Sequence, residues 1–535
     1  MAAVEKSAAE GTFQQKIFLG LILILAAAVR LPGVFWGQGF FQGIRSFRVY
    51  DIDENTLVNL FWEFNSGTPN FDTNYPKAFG LALSTFHQGF ERLLKLFAVV
   101  SDSPLKNIHI QGRLVSLLFG VGLVWLIYLM ARLLSRDRRV PLYAALFLAL
   151  AGLPVTQSHL CTADSMNAFM IFLSLYFFLR SAVSQSSFFL VLGTIAAGWA
   201  FGTKLSLVEL VPLPYLFHRF WTQKGPKWTC ILMALCWVVL VVAVLLSNGL
   251  HSNRQTLNNI IYNLRFDNLY VKRHNKLLNP FFYTLFMLPG VGLLSYLAAV
   301  YSLAGRRKVW RLLKSQEPAF FIILLPMMAH LFVISQLSIP NMRHALPLAA
   351  FFCILAGFGF SSLLDRWPFL SRNRFLVPLL AFVICYQGIY VASTEYYFVR
   401  DLRAAAFEWV QANLNRTKPI YIAGFYDWMP SRFPFPRVDA PPFAQILLLD
   451  DSLLRRYRRS ALNPLTDCPD CGSEVFHSNY AECAYLQAVF RNDTPFHLIK
   501  TFAIEPWTPE LMLYRHYWGN FPDFIGDVLI YSRSR

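Results

Sequence analysis

Acidic residues are scarce in the first 392 positions of this 535-residue chain, and they are unevenly placed. Of the 15 that precede Ser393, five fall between Asp51 and Asp72, and Asp51, Asp53 and Glu54 crowd the start of YDIDENTLVNLFWEF. Leu57, Val58, Leu60, Phe61 and Phe64 follow as an apolar pattern, so Asp53 and Glu54 are expected to open a helix. The helix dipole and its unpaired N–H groups favour carboxylates there. A cap on a wet loop is the plain structural explanation. Three acids in four positions also suit a carboxylate kept ionised for use as a general base. A separate acid, Asp164, stands in QSHLCTADSMNAF at the expected turn between two apolar runs, where Thr162 or Asp164 would cap the next helix. Counting crossings puts Asp164 on the same membrane face as Asp53. The two carboxylates can then serve one cavity, as a base and an electrostatic or metal-binding partner.

Cations are expected on that face as well. Lys77 lies in NYPKAFG, Lys204 in AFGTKLS, and Arg343 and His344 in SIPNMRHALP. For any one of them, snorkelling to the interface is the ordinary explanation. Lys204 is harder to explain that way, because Gly202-Thr203-Lys204 interrupts an apolar run, and charges beside broken helices line cavities rather than lipid. Lys and Arg at this depth suit a phosphate. No P-loop, GxSxG or HExxH occurs, which leaves ATP-driven transport and serine or zinc hydrolysis without support.

The elements that carry these residues follow from composition. Hydrophobic residues make up 55% of the chain and charged residues 15%, with 50 Phe and 13 Trp. That balance excludes disorder, coiled coil and a disulfide scaffold, and points to a polytopic α-helical membrane protein. Apolar runs start near Ile17, Leu114, Val140, Ser165, Phe188, Thr229, Pro280, Pro318, His344 and Phe375. The Phe188–Phe217 run is read as two short helices broken at Gly202-Thr203-Lys204. This keeps RDRR, HRFWTQKGPK, GRRKVWRLLK and RWPFLSRNR on one side, as the positive-inside rule requires. About eleven spans result, with the N-terminus inside and the C-terminus outside.

The net charge of +17 also divides. The 33 basic and 15 acidic residues before Ser393 leave +18, and the 15 basic and 16 acidic residues from there on leave −1. The basic excess therefore belongs to membrane loops and anionic lipid, and nucleic acid is not an expected partner. Residues 1–392 are expected to form the membrane domain, with a first extracytoplasmic loop over residues 37–109. In that loop Phe79, Leu83, Phe86, Phe90, Leu94 and Phe97 recur at helical spacing, as in a helix lying in the membrane interface. Residues 393–535 have ordinary charge content and suit a small extracytoplasmic α/β domain. Its elements are a helix over RDLRAAAFEWVQANL and strands over PIYIAG, HLIKTFAI and DVLIYS. CPDC (Cys468–Cys471) has no second ligand pair, so a local disulfide is preferred to zinc.

In that order these residues resemble the GT-C superfamily of membrane glycosyltransferases, and within it the branch of protein O-mannosyltransferases and the lipid A aminoarabinose transferase. Asp53-Glu54, HLCTAD, the GTK around Lys204, RHALPLAAFFCILAGFG and RDLRAAAFEWVQANL look like its successive signatures. The resemblance implies inverting transfer of a sugar from a polyprenyl-phosphate donor to an acceptor hydroxyl on the extracytoplasmic face. By that analogy Asp53 is the general base, with Asp51 and Glu54 beside it, and Asp164 helps place the acceptor or the base. Lys77, Lys204, Arg343 and His344 hold the carrier phosphate, and His159 and Tyr75 are acceptor or supporting residues. NYPKAFG stands where many relatives carry a Pro-rich stretch. The implied partners are the lipid-linked donor, a glycan, lipid or protein acceptor, and membrane lipids. A divalent cation on Asp51, Asp53 and Asp164 is the less favoured option, so no cofactor or metal is expected. The expected location is a plasma (inner) membrane, with the endoplasmic reticulum as the alternative. A secondary transporter or flippase for an anionic lipid-linked sugar is the competing function, since it shares broken helices and embedded charge.

Overall fold

The computed structural model describes residues 2–36, 58, 61, 78–96, 104–204, 208–247, 279–304, 317–335, 342–423, 434–450, 480–512 and 527–534. Among the described residues, seven helices are long and apolar enough to cross a membrane, and three apolar helices of 10–17 residues add to them. The described residues thus do not confirm the expected count of eleven spans. Contacts divide the chain into two units, one running through Val391 and the other starting at Ala392, with Phe35 and Trp36 belonging to the second.

In the first unit the helices are α1 (Ala2–Val34), α2 (Ala78–Leu96), α3 (Pro104–Leu134), α4 (Arg139–Ala149) and α5 (Gly152–Gln157). They continue with α6 (Asp164–Ser184), α7 (Ser187–Lys204), α8 (Leu213–Lys224), α9 (Pro226–Ser247), α10 (Asn279–Val291) and α11 (Leu293–Ala304). Then come α12 (Leu325–Ser335), α13 (Leu346–Arg366) and α14 (Asn373–Val399), whose residues from Ala392 on belong to the second unit. α3 packs on α1, α4 and α6, α6 on α7, α7 on α9, and α13 on both α4 and α11.

The Phe188–Phe217 run is divided into two helices, with Gly202-Thr203-Lys204 forming the last turn of α7, where Thr203 Oγ1 bonds back to the Trp199 carbonyl at 2.7 Å and a cation suits the dipole. A short 3₁₀ turn over Val208–Leu210 precedes α8. The run from Pro280 is divided as well, which was not expected. Gly292 has φ +85°, a conformation open to glycine, and the Gln387 side-chain amide donates to the exposed carbonyl of Val291 at 3.2 Å.

The aromatic stripe of the first loop does form a helix, α2. Phe79 and Leu83 are buried against Val58, Phe61, Ile108, Cys161, Ala163 and Met166, while Phe86 is 43% exposed. The first turns of this helix thus pack on protein. The Phe90, Leu94 and Phe97 side chains lie outside the described residues.

The second unit holds α15 (Leu402–Asn413), β1 (Ile420–Ala423), β2 (Ile446–Asp450), α16 (Tyr480–Phe490), β3 (Phe496–Phe502) and β4 (Val528–Arg533). The sheet order is β1-β2-β4-β3, with β1 parallel to β2 and the other pairs antiparallel. Leu447, Leu449, Leu529 and Tyr531 form a core with Leu486 and Val489 of α16. Asp401 caps α15 by accepting from Arg403 N at 2.9 Å, and its carboxylate also takes the Arg403 guanidinium and Trp36 Nε1–H (3.0 Å). The CPDC motif lies outside the described residues.

Candidate functional site

Polar side chains gather at the turn of residues 158–163, between α5 and α6. Gln157, Ser158, His159, Thr162, Asp164 and Asn167 are all buried. The turn is held locally, because Thr162 N donates to Leu160 O at 2.8 Å and Ser165 Oγ donates to Gln157 O at 2.9 Å. The second bond folds the first turn of α6 back onto the last residue of α5. Asp164 is the first residue of α6, where the dipole favours its charge. Gln157 Oε1, Thr162 Oγ1 and Asn167 Oδ1 are buried there with no hydrogen-bond partner among the described residues, which leaves polar atoms at this turn for a ligand or water to meet.

α6 and α7 form an antiparallel hairpin about Gln185, whose φ of 55° reverses the chain. Their 21 and 18 residues correspond to roughly 32 and 27 Å of helix, so the start of α6 and the end of α7 lie together. At that end Lys204 Nζ pairs with Asp164 Oδ1. The Asp164 side chain is 6% exposed and Lys204 25%. The ammonium is thus the more reachable member of the pair.

The turn is also clamped from α1 and α3. Arg30 is fully buried in the first span, and its guanidinium donates to Ser158 Oγ (3.2 Å), Ala26 O (2.8 Å), Ala149 O (3.0 Å) and Leu148 O (3.3 Å). It therefore ties α1 to the end of α4 and to the turn. The His159 ring packs flat against Gly33, where a Cβ would overlap it. Burial, then the nearby charges of Arg113 and Arg30, push the His159 pKa well below its ordinary value, so the ring is neutral. Arg113 Nη1 donates to Val34 O at 3.1 Å, which anchors the end of α1.

Two histidines and Arg343 stand near Lys204. His330 Nε2 meets the His344 carbonyl at 2.8 Å, and Lys204 is close enough to both imidazoles to act on them electrostatically, as Arg343 does on His344. Arg343 and His344 lie half-buried in a 3₁₀ turn over Met342–Ala345. The structure thus brings together Asp164, Lys204, Arg343 and His344, with His159 on the supporting side of the same turn. Asp51, Asp53, Glu54, Tyr75 and Lys77 lie outside the described residues. Val58 and Phe61, shortly after the acidic triplet, are described, and they pack with Cys161, Ala163 and Met166 around Asp164. Sequence reasoning passed over Arg30 and Arg113. A single arginine inside the apolar run LILILAAAVRLPG was the available signal, since intramembrane charges rarely lack a role.

Residues 103–252 match the family described as dolichyl-phosphate-mannose-protein mannosyltransferase. No curated protein matches the chain by sequence. Among solved structures, the archaeal oligosaccharyltransferase AglB from Archaeoglobus fulgidus, in complex with an inhibitory peptide and a dolichol-phosphate, is similar at TM-score 0.51 and 11% identity, over 98% of this chain and 89% of that one. ArnT from Cupriavidus metallidurans bound to undecaprenyl phosphate is similar at TM-score 0.48 and 15% identity, over 97% and 98%. The likeness to AglB extends over both units and is a likeness of fold.

Proposed function

We propose that the chain is an inverting glycosyltransferase that moves a sugar from a polyprenyl-phosphate carrier to an acceptor hydroxyl at the extracytoplasmic face of a plasma membrane. The observation that carries this reading is the buried Asp164 paired with Lys204, on a turn packed against the segment that follows the Asp51–Glu54 triplet. The dolichol-phosphate in the AglB complex and the donor in the matched family's description belong to one chemical class of carrier, and the cations here suit it.

In the proposed reaction Asp53 accepts the acceptor hydroxyl proton as that oxygen attacks the anomeric carbon opposite the phosphate. The bond from that carbon to the phosphate oxygen breaks, and its electron pair stays on the phosphate. Such a leaving group needs charge stabilisation more than an acid, and Lys204, Arg343 and Lys77 supply it. The scheme draws on no cofactor. Asp164 and His159 are given to placing the acceptor and supporting its turn.

The test is product formation by the purified protein in detergent, with polyprenyl-phosphate sugars and candidate acceptors mixed, a setting in which transport has no meaning. Asp53→Asn should lower transfer at least about 100-fold while the protein stays monodisperse, in line with the usual contribution of a general base. Near-wild-type transfer by that variant would remove Asp53 from the role, and no product from any donor would favour the transporter reading.

A further inference from the structure

Resting on the transferase reading, we propose that Asp164 is a built-in counter-anion that competes with the carrier phosphate for Lys204. The donor must loosen this ion pair on binding, and the pair closes again as the product phosphate leaves.

The argument starts from the two helix ends. Asp164 at the N-terminus of α6 and Lys204 at the C-terminus of α7 each stand at the helix end whose dipole favours their charge, so the contact between them joins two helix ends that do not depend on it. The pair is also asymmetric. Asp164 is almost enclosed, fixed by a turn that Ser158, Ser165 and Arg30 hold, whereas Lys204 is partly exposed on a long flexible stem. A ligand phosphate therefore reaches the ammonium first and meets the fixed carboxylate behind it.

Lys204 has three N–H donors, so what opposes phosphate is not a shortage of donors but repulsion between two anions at one ammonium. At about 5 Å and the effective dielectric of a protein surface, that repulsion is ample for a tenfold change in affinity. Arg343 and Lys204 both act electrostatically on His344, so Arg343 adds positive charge in the neighbourhood that offsets this cost for a phosphate.

The charge balance of the reaction gives the contact a direction. The donor phosphodiester carries one negative charge. When the bond to the anomeric carbon breaks, the electron pair remains on oxygen and the free monoester gains charge. Asp164 thus repels product more strongly than donor, and re-forming the Asp164–Lys204 pair helps the product leave.

Binding of farnesyl phosphate, a short isoprenyl monophosphate, to the full-length protein in detergent tests this by titration calorimetry. Asp164→Asn should bind it about tenfold more tightly than wild type, and Lys204→Gln more weakly. Asp164→Asn in the Lys204→Gln background should give no gain, because the competition requires the ammonium. The charge-preserving Asp164→Glu should bind as wild type does, which guards against a folding defect in the Asn variant. Weaker binding in Lys204→Gln together with unchanged or weaker binding in Asp164→Asn overturns this inference and leaves the transferase reading standing. No binding to wild type or to Asp164→Asn removes both.

Discussion

Replacing Arg30 by Met tests whether the first span holds the Asp164 turn in place. Met fills a similar volume but offers no donor, so four hydrogen bonds vanish: to Ser158 Oγ, Ala26 O, Ala149 O and Leu148 O. Bonds from a charged donor are worth about 1.5 kcal/mol each at the low end, roughly 6 kcal/mol in all. Against this, Met avoids the about 3 kcal/mol cost of inserting an arginine. The net loss is about 3 kcal/mol, and the part that falls on the turn itself is the single bond to Ser158 Oγ, about 1.5 kcal/mol. Local opening of residues 158–164 should then become about tenfold more frequent. Hydrogen–deuterium exchange with mass spectrometry reads this directly, without any assumption about function. Peptides covering the turn should exchange much faster, while α9 and α11, which make none of these bonds, should not change. Equal protection of the turn in wild type and Arg30→Met would refute the claim that this guanidinium positions it.

Stability should also depend on pH through His159. Its folded pKa is depressed, so between that value and about 6.5 the unfolded chain binds a proton that the folded chain does not. The contribution is therefore complete above about 6.5 and is lost as pH falls below it; thermal melts at pH 7.5, 6.5 and 5.5 should show the loss, with a shallower slope for His159→Asn. In the second unit, Asp401→Ala leaves the buried Arg403 facing the more distant Asp450 (3.4 Å) and deprives α15 of its cap. A cost of about 3–5 kcal/mol follows for breaking a buried pair, and it should appear as early proteolysis of residues 392–535 while the membrane unit stays intact.

What could be read from the sequence depended on how local its cause was. The α15 helix, capped by Asp401, and strands β1, β3 and β4 each carry their signal within a few residues and appear where periodicity put them. The cap expected from Thr162 or Asp164 is not made, since Ala163 is the N-cap of α6 and makes no side-chain bond. β2 was not anticipated: all five residues of ILLLD are buried, so no alternation marks it as a strand. The division of the Phe188–Phe217 run was legible because a charge stands inside an apolar stretch, and α7 ends at that charge, Lys204. Arg30 failed for a different reason. Its carbonyl partners at Leu148 and Ala149 are 118 and 119 positions away, and no local window contains both sides of such a bond.

The same long-range bonds bear on the choice between transfer and transport. A transporter of the rocking type needs one group of helices to slide against another around a central site. Here the charged turn is locked at three points to helices distant in sequence: the Arg30 guanidinium on Ser158, the His159 ring against Gly33, and the Ser116 hydroxyl on the Thr162 carbonyl at 3.2 Å. Displacing the turn from α1 or α3 would expose the buried donors of Arg30 and leave neutral His159 in a pocket shaped for one position only. A glycosyltransferase asks for the reverse of mobility at this point. Its base and acceptor must stay within a fraction of an ångström of the reacting carbon, which is what rigid support from several elements provides. The interlock around Asp164 therefore supports a fixed reaction site, with motion confined to the long Lys204 side chain.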